Sequence, residues 1–507
     1  MLMNTANVSM KSLLQSLELG SSVAEFDKSL EKYFVENQAF TALIKDKADV
    51  VAGDKGTGKT ALFRILQERR TKIPELAGIE VIEGFNPTGS PIFQRLVQQA
   101  VMTEGQYASL WKAYFLSLIG NWLLGIVGKD FSEASAELDR LLEAAGLRSK
   151  DDKAETIFSK IANAVQRALP FRASAAQIEF TLSETGLPVI TPRLEFTPME
   201  SVKNAQEVSY SEAFALLNRC LAEWDVTVWV AMDRLDEAFQ GFPDVEVPAL
   251  RALLRTYLDL LAFNQLRLKL FVRRDLFRRV IGVGFVNLTH INERKTEISW
   301  DERELMYLLA QRVRDSGDFL KHLDLDGADD EAIFYRIFPS KVAQGKGKPT
   351  SFNWMMSRIR DGNNVKPPRN LIDLANTARE VQINMDTRSN RAYEPSQPLV
   401  SPDAIREAHG RLSYKRVEDT LLAEAGPELS PLIHRFKRSK AEHSLETLSQ
   451  VLALSGDELS LRVRQLTEIG FLEELKHSWK IPMLYRDGLE ITQGKAFSVN
   501  EESDDDE

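Results

Sequence analysis

One stretch constrains the fold of this chain more than any other: Gly53-Asp54-Lys55-Gly56-Thr57-Gly58-Lys59-Thr60. It fits the pattern G-x-x-x-x-G-K-[ST], and residues 53–60 are called the phosphate loop below. The glycines allow the backbone to bend until successive N–H groups point at a phosphate. Lys59 is expected to reach the β- and γ-phosphates, and the Thr60 hydroxyl is expected to ligate Mg²⁺. The pattern therefore predicts a site for ATP and Mg²⁺.

The flanks of the phosphate loop match the structural context that such a loop requires. Residues 48–52 read as a short buried strand, and residues 61–66 open a helix whose amino end favours anions. A strand, a loop and a helix in this order indicate an α/β fold. We predict a P-loop NTPase core, in which a parallel sheet carries helices on both faces.

The composition is that of an ordinary globular protein, with 43% hydrophobic and 27% charged residues among 507. This length is enough for two or three domains. The single cysteine, Cys220, excludes an intramolecular disulfide and fits a reducing compartment. Residues 1–4 do not begin a signal-peptide pattern, so we expect a cytoplasmic protein. The longest apolar run, residues 113–127, is interrupted by Asn121 and predicts a buried helix, with no membrane partner.

The charge distribution argues against a protein that coats nucleic acid. The net charge is −10, and six of the negative charges lie in residues 501–507. The body of the chain is therefore only weakly acidic and has no overall basic character. We expect the acidic tail to be disordered.

A second candidate for site chemistry follows the apolar run at residues 226–232. A buried parallel strand delivers the residue after it to the carboxyl edge of the sheet, and here that residue is Asp233. Asp233 is expected to hold Mg²⁺, and either Asp236 or Glu237 is expected to polarise the attacking water. The alternative is a core strand that meets an ordinary loop.

Residues 268–275 predict a further strand that ends in two arginines, Arg273 and Arg274. In ATPases of this kind, this edge carries a residue that senses the γ-phosphate. The alternative is a pair of surface arginines that bridge to acidic side chains, and the sequence leaves the two interpretations equal.

A proline-led helix begins at residues 366–372, with Arg369 near its start. Proline in the first turn presets the helical backbone. Arg369 either reaches back to the phosphates or is a solvated arginine.

Towards the carboxyl end, residues 445–454 and 459–469 read as helices, and residues 471–475 and 479–482 read as strands. This order predicts a winged helix. Its second helix carries charges of both signs, which is unfavourable for reading bases. A basic patch precedes it and either contacts phosphates or is a solvated face: Arg435, Lys437, Arg438 and Lys440.

The long interval between the phosphate loop and Asp233 predicts a helical insertion, with a hairpin formed by residues 178–182 and 194–197. The predicted domains are N-terminal helices and the start of the core (1–85), the insertion (86–205), the rest of the core (206–299), a helical lid (300–395), a winged helix (396–492) and an acidic tail (493–507).

Three pieces together resemble a known group: the phosphate loop, the D-x-x-D-E cluster at 233–237, and the segment 366–372 ahead of the winged helix. The chain is similar to bacterial P-loop ATPases between the origin-recognition-like AAA+ proteins and the STAND signal-transduction ATPases. Within that class it resembles stand-alone ATPases associated with antiphage defence. The resemblance implies Mg²⁺-dependent ATP hydrolysis and gives Arg369 the place of the second sensor in AAA+ lids.

Three functions are compatible with these features. The first is an ATP-driven switch that gates a protein partner, an effector or a homo-oligomer. The second is a DNA loader or remodeller, as the origin-recognition likeness implies. The third is a nucleotide-binding scaffold. The low basicity and the mixed charges of residues 459–469 favour the first function, so nucleic acid is a possible but disfavoured partner.

Overall fold

The computed structural model describes residues 9–84, 102–128, 130–149, 154–161 in part, 180–182, 188–190, 208–235, 243–282 and 284–497. The chain forms two compact units. The loop unit contains the phosphate loop and consists of Met1–Glu36, Asp54–Ala61 and Ser299–Glu507. The sheet unit consists of Asn37–Gly53 and Leu62–Ile298.

The sheet unit is built on five parallel strands. Their bounds are β1 Val50–Gly53, β2 Ile79–Glu83, β5 Thr227–Met232, β6 Leu266–Arg273 and β7 Lys295–Glu297. The spatial order is β2-β5-β6-β1-β7, and every neighbouring pair is parallel. All five carboxyl ends therefore lie at one edge of the sheet. The ends of β1 and β5 flank the end of β6 and are separated by about 10 Å, two strand spacings.

Side chains of each strand alternate between two apolar layers. On β5, Val228 and Val230 belong to one large core, whereas Trp229 points to the opposite face. On that opposite face Phe63 packs edge-on against Phe271, with ring centroids 5.7 Å apart. Phe63 belongs to the helix Lys59–Glu68, so helices cover both faces of the parallel sheet. The predicted α/β fold class is confirmed.

The helices of the sheet unit pack mainly against the large core. Their bounds are Gln38–Ile44, Lys59–Glu68 (which begins in the phosphate loop), Glu104–Val127, Glu133–Ala144, Tyr210–Glu223, Pro243–Leu260, Arg274–Ile281 and Leu288–Glu293, with a short 3₁₀ turn at Pro74–Leu76.

The helix Glu104–Val127 lies inside the predicted insertion but shares the core of the sheet. Trp111 and Tyr114 belong to the same apolar cluster as Val228, and the Trp111 indole donates to the Ala249 carbonyl at 2.9 Å. The helix is long and apolar enough to cross a membrane by length and composition, yet 72% of its most apolar window is buried within the protein. This burial agrees with the prediction of a buried helix.

The predicted hairpin is present, but its second strand differs from the prediction. Strands β3 (Phe180–Leu182) and β4 (Pro188–Ile190) pair antiparallel. The sequence assigned Pro188 to the turn, whereas it is the first residue of β4, a position at which a strand tolerates proline. Residues 194–197, the predicted second strand, lie outside the described residues.

The loop unit is mostly helical and encloses one continuous core. Its helices are Met10–Ser16, Glu302–Arg314, Gly317–His322, Asp330–Ile337, Ser351–Ile359, Pro368–Arg388, Pro402–Arg416, Leu422–His434, Leu445–Leu452, Gly456–Glu468 and Met483–Arg486. A 3₁₀ turn spans Ala24–Phe26, and a π-helical turn, Val417–Leu421, follows Arg416 directly.

The predicted N-terminal helices are separated by an irregular segment. The helices span Met10–Ser16 and Gln38–Ile44. In the segment between these helices, the Leu19 carbonyl accepts a hydrogen bond from buried Arg312 at 2.6 Å, and buried Asp27 pairs with Arg312 at 3.0 Å. These long-range contacts hold the segment in an irregular path that apolar spacing alone does not reveal.

Residues 440–495, here called the C-terminal module, contain the predicted order of helix, helix, strand, turn and strand. Strands β8 (Lys440–His443), β9 (Glu473–Glu474), β10 (Trp479–Lys480) and β11 (Thr492–Lys495) form one sheet in the order β11-β8-β10-β9. β8 and β11 were not predicted, because they are short and their polar residues carry no alternating apolar pattern.

A buried charge network lies at the amino end of β1. Both Lys269 and Asp49 are fully buried, and the Lys269 ammonium contacts Asp49 at 2.8 Å and Asp46 at 2.6 Å. Asp49 also accepts hydrogen bonds from the Arg294 guanidinium and, at 3.0 Å, from the Tyr257 hydroxyl. Since these partners come from β6 and from the residues next to β7, the network fixes β1 between its two neighbours.

We predict that Asp49→Asn lowers the free energy of unfolding by about 3 kcal/mol at neutral pH, because it leaves buried cations without their anion. Burial by itself would raise the pKa of Asp49, but the hydrogen bond from Arg294 and the charge of Lys269 hold it below the ordinary value. This contribution is therefore complete above about pH 4, the unfolded value, and disappears as the pH falls through the lower folded pKa. Urea titrations at several pH values measure it.

The matched control is Asp46→Asn, because the Asp46 side chain is 39% exposed and belongs to the same network. It should cost clearly less stability. Equal losses for both variants, or a loss for Asp49→Asn that does not shrink in acid, would contradict this account of the network.

Candidate phosphate-binding site

The phosphate loop has the backbone that a phosphate cradle needs. β1 ends at Gly53 and the next helix begins at Lys59. Gly56 and Gly58 have φ angles of 77° and 106°, which side-chain-bearing residues rarely adopt. Buried Thr57 closes the turn, since its hydroxyl donates to the Asp54 carbonyl at 2.7 Å. These glycines are required by the bend, as the sequence predicted.

The lysine of the loop already lies over it. The Lys59 ammonium donates to the Asp54 carbonyl at 3.2 Å, so the cation is held across the loop. Thr60, in the first turn of the helix, follows with a half-buried side chain. A positive charge, bent glycines and a helix start are together suited to the phosphates of a nucleotide. The described residues therefore fit the phosphates of a nucleotide. The roles of Lys59 at the phosphates and of Thr60 as a Mg²⁺ ligand stay predictions.

Within the loop unit, two segments distant in sequence contact the phosphate loop. The Trp300 indole donates to the Thr57 carbonyl at 2.8 Å. The backbone N–H of Arg369 donates to the Gly56 carbonyl at 3.4 Å. A methyl group on Gly56 would lie 3.1 Å from Cβ of Arg369 and 3.3 Å from Cβ of Pro367, which is tighter than ordinary contact. The start of the helix Pro368–Arg388 therefore rests directly on the loop.

This placement bears on the two interpretations of Arg369. Its side chain is half-buried, and Cδ lies 3.5 Å from where a Gly56 methyl would be. The backbone and the aliphatic part of Arg369 thus lie against the phosphate loop. That its guanidinium reaches the phosphates stays a prediction.

In the sheet unit, Asp233 lies where the sequence placed it. It directly follows β5 and is only 4% exposed at the carboxyl edge of the sheet. The next residue, Arg234, has a φ of 57°, so the chain turns sharply after the carboxylate. The other two acids of the predicted cluster, Asp236 and Glu237, lie outside the described residues. Among the described residues no group of three or more His, Cys, Asp or Glu side chains is placed to hold a metal ion.

The two arginines at the end of β6 have different surroundings. Arg273 pairs in register with Gly53, the first residue of the phosphate loop, and its guanidinium binds Asp275 at 2.9 and 3.0 Å. Arg274 begins the next helix and pairs with Glu297 at 3.1 Å. Both arginines therefore form ion pairs with acidic side chains, as the surface-arginine alternative predicts. Of the two, Arg273 also lies beside β1, the strand that leads into the phosphate loop.

Sequence analysis missed Trp300 and Pro367 as contacts of the loop. Trp300 was only the first residue of the predicted helical lid, whereas the first helix of that region begins later, at Glu302. No local pattern marks an indole that binds a carbonyl 243 residues away. The only available signal was the proline pair before Arg369, which identified the helix start but not its neighbour.

No family model matches the chain. A curated relative, the "Putative transposon gamma-delta 80.3 kDa protein" of Escherichia coli (strain K12), is 23% identical over 394 residues, which are 73% of this chain and 49% of the relative. The chain thus spans about half the length of the curated relative that it matches.

Solved structures similar to this chain include the ORC2 protein of Aeropyrum pernix, with 13% identity, a TM-score of 0.37, and 91% and 96% of the two chains covered. The Walker-type ATPase of Pyrococcus abyssi has 11% identity, a TM-score of 0.39, and 90% and 96% coverage. The ORC1 protein of Aeropyrum pernix in complex with DNA has 12% identity, a TM-score of 0.35, and 92% and 96% coverage. At these TM-scores the fold assignment rests on the strand order and loop described above.

We predict that Lys59→Ala weakens ATP binding about tenfold or more, because a charge-assisted contact to the phosphates is lost. Isothermal titration calorimetry measures the affinity. The matched control is Lys28→Ala, which removes an exposed lysine outside the phosphate loop and should leave the affinity nearly unchanged. Similar affinities for wild type and Lys59→Ala would refute the site.

Proposed function

We propose that this chain is an ATP-binding and ATP-hydrolysing switch. The observation that carries the proposal is the contact of Pro367 and Arg369 with Gly56 of the phosphate loop. A helix that rests on the loop is in place to respond to what the loop holds. A loop that only stored nucleotide would not need such a contact.

The proposed hydrolysis uses the residues in the roles that phosphoryl transfer requires. Lys59 neutralises the β- and γ-phosphates, and Thr60 and Asp233 hold Mg²⁺. Asp236 or Glu237 orients the attacking water. Bound Mg²⁺ would supply neutralisation of the phosphate charge, and the protein's own residues would position the phosphates and exclude competing water.

The proposed switch depends on Arg369. A guanidinium is always charged and can hold two phosphate oxygens at once. If it engages the γ-phosphate, the helix Pro368–Arg388 is tied to the phosphate loop with ATP but not with ADP. A ligand shifts an equilibrium only by its unequal affinity for the two states, and this contact supplies the inequality.

The partner is proposed to be a protein or a second copy of the chain, in the cytoplasm. Support comes from the charges of the described residues near the C-terminal module. In the basic patch, Lys437 and Arg438 pair with Glu490 at 3.2 and 2.7 Å, and Arg435 donates to a backbone carbonyl. These pairs leave fewer cations for phosphates than the sequence suggested. A role in antiphage defence, which the resemblance implies, is part of the same proposal.

DNA binding is the alternative, and a salt series separates it from the proposal. A loader that neutralises several DNA phosphates loses affinity steeply as salt rises. No retention of duplex DNA by the ATP-bound protein at low salt supports a protein partner. Retention with a steep salt slope would replace the proposal with the loader.

We predict that Asp233→Asn impairs Mg²⁺-dependent turnover, because a metal ligand loses its charge. Glu237→Gln is expected to keep ATP bound while hydrolysis slows by about a hundredfold to ten-thousandfold. Asp236→Asn is the matched comparison, and phosphate release measures all three. Normal turnover of Glu237→Gln with a slow Asp236→Asn would exchange the two roles, whereas normal turnover of both would refute the acid cluster.

We predict that Arg369→Ala keeps most of its ADP affinity and loses several-fold affinity for ATP. ATP-dependent protection of the C-terminal module against protease should disappear in the same variant. Arg369→Lys should rescue poorly, since an ammonium lacks the guanidinium fork. Calorimetry with both nucleotides and limited proteolysis are the measurements.

Arg303→Ala is the control, because Arg303 is an exposed arginine near the start of another helix in the same unit. If wild type and Arg369→Ala bind ATP and ADP alike and are cut alike, Arg369 is an ordinary helix residue and the proposed switch fails.

A further inference from the structure

A second arginine, Arg416, is paired with the acid that lies one helical turn beyond Arg369. Asp373 follows Arg369 by four residues on the same helix, so the two side chains share one face. The Asp373 carboxylate is paired with the guanidinium of Arg416, and the Lys415 ammonium lies 3.9 Å away. Arg416 is the last residue of the helix Pro402–Arg416. The proposed sensor thus sits next to a carboxylate that another helix has already engaged.

The pair is buried enough to matter energetically. Arg416 is 7% exposed, and the Asp373 side chain is 15% exposed. Burial lowers the pKa of the Arg416 guanidinium, Asp373 opposes that shift, and the positive charge of Arg369 adds to it. Arg369 and Arg416 therefore feel each other's charge across Asp373. Removing one partner of such a buried pair has a larger effect than removing a surface pair.

We propose that Arg416 is a positioning residue that holds Asp373 away from Arg369 and thereby sets the preference of the site for ATP over ADP. This inference rests on the proposed function, in which Arg369 engages the γ-phosphate. An unengaged Asp373 would compete with the γ-phosphate for the same guanidinium, since acid–arginine pairs four residues apart attract on a helix. It would also repel the phosphate. Arg416 removes both effects by neutralising the carboxylate.

The helix of Arg416 also contacts the C-terminal module. The Ser413 hydroxyl accepts a hydrogen bond from the backbone N–H of Gly488 at 2.8 Å. One turn earlier, His409 Nδ1 lies 2.8 Å from the Asp487 carboxylate. A methyl group on Gly488 would lie 2.8 Å from the Ser413 carbonyl, so the approach is close. The helix Pro402–Arg416 thus ends at Arg416, the partner of Asp373, and contacts the C-terminal module through Ser413 and His409.

The helix Pro402–Arg416 continues into an irregular segment, the π-helical turn Val417–Leu421. Such turns are rare and occur often at functional sites. Here the turn begins at the residue after Arg416. The next helix contains Gly426 with a non-helical backbone, φ 66° and ψ −175°, followed by Pro427. A change in the Arg416–Asp373 pair would therefore act where the helix is already irregular.

The test compares the ATP-to-ADP affinity ratio of the wild-type chain with that of four variants. Arg416→Met replaces the cation with an apolar side chain of similar length and should lower the ratio about fivefold or more, the usual scale of coupling between sites. Asp373→Asn combined with Arg416→Met removes the competing carboxylate and should restore the ratio. Arg416→Lys keeps the charge and should stay near wild type. Calorimetry gives the affinities, and thermal unfolding confirms that each variant is folded.

Arg411→Met is the matched control. Arg411 lies on the same helix in an exposed pair with Glu407, at 2.6 Å, and should leave the ratio unchanged. A purely structural role of Arg416 would weaken ATP and ADP equally and would not be rescued by the second substitution. An unchanged ratio in Arg416→Met, or no rescue in the double variant, would overturn the inference while the proposed switch stands. Equal ATP and ADP affinities in wild type would remove the proposed switch itself.

Discussion

The sheet depends most on the ion pairs and hydrogen bonds of the buried Asp49 carboxylate. β1 has only four residues, yet the phosphate loop starts from its carboxyl end. At the amino end of β1, the Asp49 carboxylate accepts hydrogen bonds from Lys269, Arg294 and Tyr257. The backbone N–H of Asp49 donates to the Arg294 carbonyl, and the Asp49 carbonyl accepts from the Leu270 N–H, each at 2.7 Å. Burying these charges is costly unless each finds a partner in good geometry. The network therefore specifies one register for β1 between β6 and β7.

The proposed switch depends on the glycines of the phosphate loop, which follows directly after β1. A side chain at Gly56 would collide with Arg369 and Pro367, and the bend itself requires positive φ angles. The glycines therefore leave room for the start of the helix Pro368–Arg388 and, in the proposed site, for a phosphate. Arg369 and Asp373 lie one turn apart on the helix that contacts the loop, and Asp373 is paired with Arg416. We propose that a change at the loop is transmitted through these residues towards the C-terminal module.

Much of the fold follows from local sequence patterns, and most of the misses are long-range. Buried apolar runs that end in glycine, in an acid or in arginines identified β1, β5 and β6. The loop therefore follows β1 and Asp233 follows β5, as expected. Lys269 was missed because one lysine in an apolar strand looks like an ordinary alternation, whereas its partner Asp49 lies 220 residues away. The irregular segment held by Arg312 and the loop contact of Trp300 depend on residues about 240 to 290 positions distant, which no local period reports.

Hydrogen–deuterium exchange with a non-hydrolysable ATP analogue and with ADP tests the central claim most directly. In the proposed switch, the nucleotide at the phosphate loop alters the C-terminal module through the helix that begins at Pro368. We predict that the analogue, but not ADP, slows exchange in residues 367–373, in residues 413–421 and in residues 483–489. Protection confined to residues 53–66, or equal protection by both nucleotides, would contradict it and leave a nucleotide-binding protein without a switch.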